Sequence, residues 1–241
     1  MGRKSFICIL LLISGPTAFS QPAKDTTFIT VAVQNAVKLY RNALGAQARL
    51  YNGSKYDAPD HTLEQHPYFF SEDWLEGDVF YDGEYFAKIP IMFDLHNRQL
   101  ITEHHPSGHA IQLVPEKLLR FSIAGHFFEK IENEAVANSL PRTGYYDILY
   151  SGETKVVAQR EKMLREQIEN TEIERFFEEK NRYFIFKNGV FNPVKSKSSV
   201  LKLLADKKPD LRKFLKQQRV SFSADRELAM KRLAEYYDTL K

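Results

Sequence analysis

Four glycine-centred turn signals constrain this chain more than any other feature. Asn52-Gly53, Asp82-Gly83, Ser151-Gly152 and Asn188-Gly189 each fall between aromatic and β-branched residues. Asn-Gly and Asp-Gly tolerate the positive φ that a two-residue type I′ hairpin turn needs, so such pairs mark places where a strand can reverse. Between them, residues 89–95, 100–103, 109–114, 118–123 and 127–131 read as short strands, separated by Asn97 and by Pro106-Ser107-Gly108. A strand about every ten residues predicts an antiparallel β-meander, either a curved sheet or an open barrel. Its expected core includes Tyr81, Phe93, Leu95, Leu113, Phe121, Ile123 and Phe127.

Helical periodicity brackets this sheet. In residues 28–44 the apolar positions Val33, Val37, Tyr40 and Leu44 recur at helical spacing and Gly45 supplies a stop, so an N-terminal helix is expected. Residues 196–205, 209–217 and 224–240 are amphipathic. Their inward stripes are Val200, Leu203 and Leu204, then Leu211, Phe214 and Leu215, then Leu228, Leu233, Tyr236 and Tyr237. Pro209 suits a first helical turn, and Ser223 is the expected N-cap of the last helix. Residues 156–179 are rich in Glu, Lys, Gln, Arg and Leu and are read as helix, with a pair of long charged strands as the alternative. The fold class is therefore α+β: N-terminal helix, antiparallel meander, C-terminal helical segment.

The first twenty residues read as an address. Arg3 and Lys4 precede an apolar run from Phe6 to Ile13, Gly15-Pro16 breaks it, and Ala18-Phe19-Ser20 offers small residues for cleavage before Gln21. A run of eight falls well short of the roughly 20 apolar residues that cross a bilayer. The expectation is export, to the periplasm or beyond, with cleavage near Ser20 and no transmembrane span in the mature chain. The lone cysteine, Cys8, would leave with this segment, so the mature chain offers no thiol chemistry and no disulfide. The expected organisation is a signal peptide at 1–20, a helix-plus-sheet domain at 21–194, and a basic helical segment at 195–241 packed on it.

Charge is unevenly distributed. Residues 21–179 carry 16 Lys and Arg against 25 Asp and Glu, whereas residues 180–219 carry 12 against Asp206 and Asp210 alone. In an exported protein this asymmetry does not point to nucleic acid; it points to docking on the acidic body or to an anionic envelope surface. Lys195, Lys197, Lys202, Lys207, Lys208, Arg212, Lys213 and Lys216 are expected to form an outward basic face, and Lys207, Lys208, Lys213 and Lys216 are its candidate contacts with an anionic surface.

Eight aromatic residues fall within residues 68–86, more than one sheet face needs, so some should be exposed. Tyr68, Phe69, Trp74, Tyr81 and Tyr85 are candidates for an aromatic surface that binds glycan, peptide or lipid. His104, His105 and His109 lie close together, with His61 and His66 upstream beside Asp60 and Glu64. Adjacent His104 and His105 would point to opposite faces of a strand, and no zinc-protease spacing occurs, so no metal site and no cofactor is assigned. Nothing matches Gly-x-Ser-x-Gly, and the paired carboxylates Asp82 with Glu84 and Glu72 with Asp73 fall on loops or hairpin tips, so no catalytic residue is assigned.

The strings Tyr51-Asn-Gly-Ser-Lys-Tyr56, His66-Pro-Tyr-Phe69 with Trp74, and Tyr81-Asp-Gly83 followed by Pro90-Ile-Met-Phe-Asp94 resemble a family of exported Gram-negative envelope proteins with no assigned activity. Tyr183-Phe-Ile-Phe-Lys-Asn-Gly189, Val194-Lys-Ser-Lys-Ser-Ser199 and Tyr236-Tyr237 are similar to that family's C-terminal part. The resemblance implies an envelope-exposed fold and no activity. The sequence thus favours a non-enzymatic envelope binding or scaffolding module. A periplasmic lipid or lipoprotein carrier resting on fold analogy is the first alternative, and a histidine-dependent metallohydrolase the second.

Overall fold

The computed structural model describes residues 29, 31–33, 35, 36, 39, 49–58, 63, 65–104, 107–132, 140, 142–169 and 172–240. The chain forms two units, Met1–Ala43 and Leu44–Lys241. In the first, the described positions from Ile29 to Leu39 are helical, and Val33 is exposed. The bounds of that helix, the other positions of its expected stripe and the signal segment lie outside the described residues.

The second unit is an 11-stranded antiparallel sheet followed by three helices. The strands are β1 Ser54–Lys55, β2 Leu75–Tyr81, β3 Glu84–Asp94, β4 Gln99–His104, β5 His109–Gln112, β6 Leu118–Ile123, β7 His126–Ile131, β8 Gly144–Ser151, β9 Lys155–Glu169, β10 Glu172–Lys187 and β11 Val190–Val194. The helices are α1 Lys197–Leu203, α2 Lys208–Gln217 and α3 Arg226–Thr239. The spatial order is β1-β5-β4-β3-β2-β6-β7-β8-β9-β10-β11, open at both edges. Two of the turn signals close hairpins as read: Asp82-Gly83 joins β2 to β3 and Asn188-Gly189 joins β10 to β11, all four residues at positive φ. The other two do not. Asn52-Gly53 leads into β1, which pairs with β5, and Ser151-Gly152 opens a three-residue connection to β9.

After β5 the chain returns to pair β6 with the far side of β2. Four strand spacings of about 4.8 Å amount to about 19 Å, and the connection of residues 113–117 reaches about 20 Å fully extended, so it just bridges the sheet, whose curl brings Leu50 and Leu113 into one buried cluster with Phe121 and Phe128. Tyr81 marks the crossing: its hydroxyl accepts from Val114 N at 3.2 Å and donates to Asn52 Oδ1 at 2.5 Å. The curl encloses an apolar cluster of Leu50, Val79, Tyr81, Phe86, Ile91, Phe93, Leu95, Leu100, Leu113, Leu118, Phe121, Ile123 and Phe128. Of the seven core residues expected from sequence, Phe127 is the exception. It is 42 % exposed, and its neighbour Phe128 points inward. A one-residue step along a strand reverses the face, and two adjacent phenylalanines leave the choice open until β7 is registered on β6 through Phe121 and Phe128.

Cross-strand partners share a face, and the row Phe128, Asp147, Ala158, Tyr183, Val194 carries that inner face from β7 to β11. The three helices cover it there, packing Val200, Leu204, Leu211, Leu215, Met230, Leu233 and Tyr237 on Val156, Ala158, Tyr183 and Ile185. The outer face has smaller clusters around Tyr146, Val157, Phe184 and Phe191, and around Tyr56, Tyr68, Met92 and Ile101.

Residues 156–169 and 172–179 are strands, not helix. Val156 to Glu161 are buried on both faces, which hides the alternation of a strand, and beyond them β9 and β10 project as a largely solvated ribbon. Its outer part carries Arg165 bonded to Glu178 and Arg175 bonded to Glu166, both at 2.8 Å. Helix-forming side chains fill it because cross-strand pairing, not propensity, decides its state.

Gly77 sits where β2 is gripped by both neighbours, beside an irregularity in its pairing with β3. A Cβ there would overlap the Ser122 carbonyl oxygen and the Ile91 side chain. Gly77→Ala should destabilise the protein by about 1–3 kcal/mol, read as a lowered denaturation midpoint.

Candidate functional site

The basic segment becomes a surface because its apolar stripes bolt it to the sheet. α3 is fixed at both ends. At its start Asp225, not Ser223, is the N-cap and accepts from Leu228 N at 2.8 Å; Ser223 lies two residues too early and bonds Ser221 instead. Glu227 in the first turn accepts from Arg160 Nη1 at 2.5 Å, Arg160 Nη2 at 2.8 Å and the Tyr183 hydroxyl at 2.7 Å. Arg160 also donates through Nε and Nη2 to buried Asp147, whose carboxylate faces His126 Nδ1 at 2.8 Å. At the other end Asp238 accepts from Thr154 N, Thr154 Oγ1 and the Tyr150 hydroxyl.

Burial alone would raise the Glu227 carboxyl, but the hydrogen bonds from Arg160 and Tyr183 and the charge of Arg160 hold it below the usual glutamate range. Burial, the hydrogen bond to Glu227 and the charge of that carboxylate push Tyr183 up to about 12, against the opposing pull of Arg160 and Arg226. A carboxyl whose folded pKa is depressed contributes stability that is present above its unfolded value, 4.5, and lost as pH falls through the folded one. Unfolding midpoints should therefore drop below about pH 4.5, and the drop should shrink in Glu227→Gln.

Outside this anchor, α1, α2 and the turn after α2 enclose a cavity of about 840 Å³. Leu201, Leu215 and Val220 supply its apolar side, with Leu201 and Leu215 buried. Lys208, Arg212 and Lys216 follow at i, i+4 and i+8 along one side of α2, so their ammonium and guanidinium groups line one wall. Lys197 faces them from α1, and Arg219, at φ 52°, follows α2. Five cations and no carboxylate line the groove. Asp206 is drawn off by Lys187 at 2.8 Å and by the Tyr237 hydroxyl, and Asp210 falls on the other side of α2. Such a groove raises the local concentration of anions and can take an anionic head group with some apolar contact beneath it.

The structure brings together two of the four candidate anion contacts. Lys208 and Lys216 line the groove; Lys207, before α2, and Lys213, about 140° around the helix from Lys208, do not. Arg219 was missed, although the spacing 208, 212, 216, 219 carries its signal.

The five aromatic candidates do not form one surface. Tyr81 is fully buried; Tyr68 is 8 % exposed and packs with Tyr56 and Met92, with Trp74 against the same cluster. Phe69 meets Phe128 and His126 edge-on, and only Tyr85, at 53 %, is exposed. Of the eight aromatics in residues 68–86, Phe70, at 72 %, and Tyr85 are exposed, as the excess predicts, and the other six are buried or half-buried. On the inner face Tyr81 and Phe69 pack in one apolar cluster and the three helices in another.

Of the histidines, His104 bonds Ser107 Oγ at 2.6 Å and lies opposite His109, and His66 stacks on Tyr68; His61 and His105 lie outside the described residues. Among the described residues no three His, Cys, Asp or Glu side chains are grouped to hold a metal ion, and no helix is long and apolar enough to cross a membrane. Comparison with protein families, curated proteins and solved structures returns no match.

Proposed function

We propose that this protein is an exported, non-enzymatic binding module that grips an anionic component of the bacterial envelope in the groove between α1 and α2. The observation that carries the reading is the composition of that groove: Lys197, Lys208, Arg212, Lys216 and Arg219 around buried leucines, with no carboxylate among them. Export is supported by the pattern of residues 1–20 and by the resemblance to exported envelope proteins. The rigid seat of the helices, locked through Glu227 and Asp238, holds the cations in place before a partner arrives, which lowers the ordering cost of binding.

The purified protein should bind vesicles containing phosphatidylglycerol and not vesicles of phosphatidylcholine. Binding should weaken steeply as salt rises through ~0.15 M, where the screening length is about 8 Å. Equal binding to both vesicle types, or binding indifferent to salt, would overturn the reading.

A further inference from the structure

A second basic pocket lies on the sheet face away from the helices. Tyr183 and Ala158 belong to the helix-covered face, so their neighbours in register, Arg182 and Gln159, point outward, as does Glu161. Arg182 on β10, Arg142 ahead of β8 and Arg98 in the turn between β3 and β4 line a cavity of about 360 Å³ together with Glu161, Leu95 and His96. Three guanidinium groups and the Lys162 ammonium meet one carboxylate there, so positive charge is in excess. Glu161, 5 % exposed, is engaged by Arg142 and lies 3.8 Å from Arg182. Lys162 reaches the same cavity, but its ammonium is committed to the His66 carbonyl at 2.9 Å.

The site is built from fixed parts. Buried Asp94 shapes the turn that carries Arg98: it accepts from His96 N, Asn97 N, Asn97 Nδ2 and the Tyr56 hydroxyl, all within 2.9 Å. His96 then holds the turn over β9, with Nδ1 3.2 Å from the Lys162 carbonyl oxygen and its ring edge-on to Phe177. Arg142 is anchored at its backbone, where its carbonyl accepts from the Tyr146 hydroxyl. Two polar atoms are left wanting. Arg142 Nε is buried with no acceptor, and Gln159 Oε1, on the same face beside Glu161 and opposite Arg182, is buried with no donor. Burial, with Arg98 and Arg182 nearby, lowers the pKa of Arg142, the signature of a cation held among cations.

We propose that this pocket binds a small phosphate monoester, its dianion seated among Arg98, Arg142 and Arg182. Guanidinium forks match phosphate oxygens geometrically, and a dianion offsets the positive excess that one carboxylate leaves. Three forks from three chain segments suit a tetrahedral group better than a planar carboxylate, which one or two arginines satisfy. The volume, at the lower end of small-molecule sites, admits a phosphorylated metabolite and not a lipid with its chains.

Titration calorimetry of the full protein with inorganic phosphate, glycerol phosphate and citrate tests this. Phosphate and glycerol phosphate should each bind at a single saturable site, more tightly than citrate. Arg142→Gln and Arg98→Asn should each weaken binding about tenfold or more, the effect of losing a charge-assisted contact. Arg98→Asn keeps a residue type that tolerates the 59° φ of an exposed turn, so it reports on binding even if Arg142→Gln unfolds the protein. Substituting Lys88, Lys213, Lys231 and Arg232, all exposed and lining neither this pocket nor the groove between α1 and α2, by Gln should leave phosphate affinity unchanged. Absence of saturable phosphate binding, tighter binding of citrate, or a loss in that surface variant equal to that in Arg98→Asn would each overturn the proposal.

Discussion

Replacing Arg160 by Leu should lower the unfolding free energy by about 3–5 kcal/mol. Its guanidinium is 6 % exposed and joins two carboxylates that lie far apart in sequence, Asp147 on β8 and Glu227 on α3. Asp147 is 1 % exposed, so without Arg160 it would be a desolvated charge facing only His126. The large effect comes from that stranded charge, not from the intrinsic strength of the ion pair. Replacing Asp147, Arg160 and Glu227 together by apolar residues of similar volume should therefore cost far less than the single change. Denaturant unfolding of the single and triple variants checks this. A loss below about 1 kcal/mol for Arg160→Leu would mean that water reaches Asp147 and that α3 is not locked at its start.

Phe121→Ala should cost about 3–5 kcal/mol, the range for emptying a buried phenylalanine site. Phe121 stacks on Phe128 at 4.9 Å between ring centroids and meets Phe93 at 5.0 Å and Tyr145 at 5.5 Å, so four strands lose packing at once. Phe93→Ala belongs in the same range, since Phe93 meets Phe121, Phe128 and Tyr145. Phe127→Ala, one residue from Phe128 on the solvated side, should cost less than about 1 kcal/mol. If Phe121→Ala and Phe93→Ala both unfold at the parent midpoint, or if Phe127→Ala costs as much as Phe121→Ala, the register of β7 on β6 is wrong.

The sheet was legible in the sequence wherever local chemistry decides. Asp82-Gly83 and Asn188-Gly189 announce hairpins because their backbones must adopt positive φ. Ala124-Gly125 closes β6 to β7 with the same dihedral signs, yet alanine carries no turn signal, so that hairpin could be inferred only from its flanking strands. The β9–β10 ribbon was misread because the determinant is cross-strand pairing between residues up to about 30 apart, while the composition of each strand alone favours helix. The amphipathic helices and their basic face were readable from a period that needs no long-range partner. Among the aromatic candidates Tyr81 was legible as core, whereas the seat of Tyr68 and Trp74 beside Tyr56, Met92 and Ile101 is set by strands that no window of residues 68–86 reports. Arg160, Asp147 and Glu227 had no local signal either, since a buried ion pair is recognisable only once the strands and α3 are assembled.

The central claim is that the arrangement of cations in the groove, and not the total charge of the segment, makes the anionic contact. Two variants of equal charge separate these. One changes Lys208, Arg212, Lys216 and Arg219 to Gln; the other changes Lys88, Lys213, Lys231 and Arg232, all exposed and outside the groove, to Gln. Cosedimentation with phosphatidylglycerol vesicles at fixed salt should show binding lost in the first variant and nearly retained in the second. Equal loss in both, or retention in both, would contradict the account.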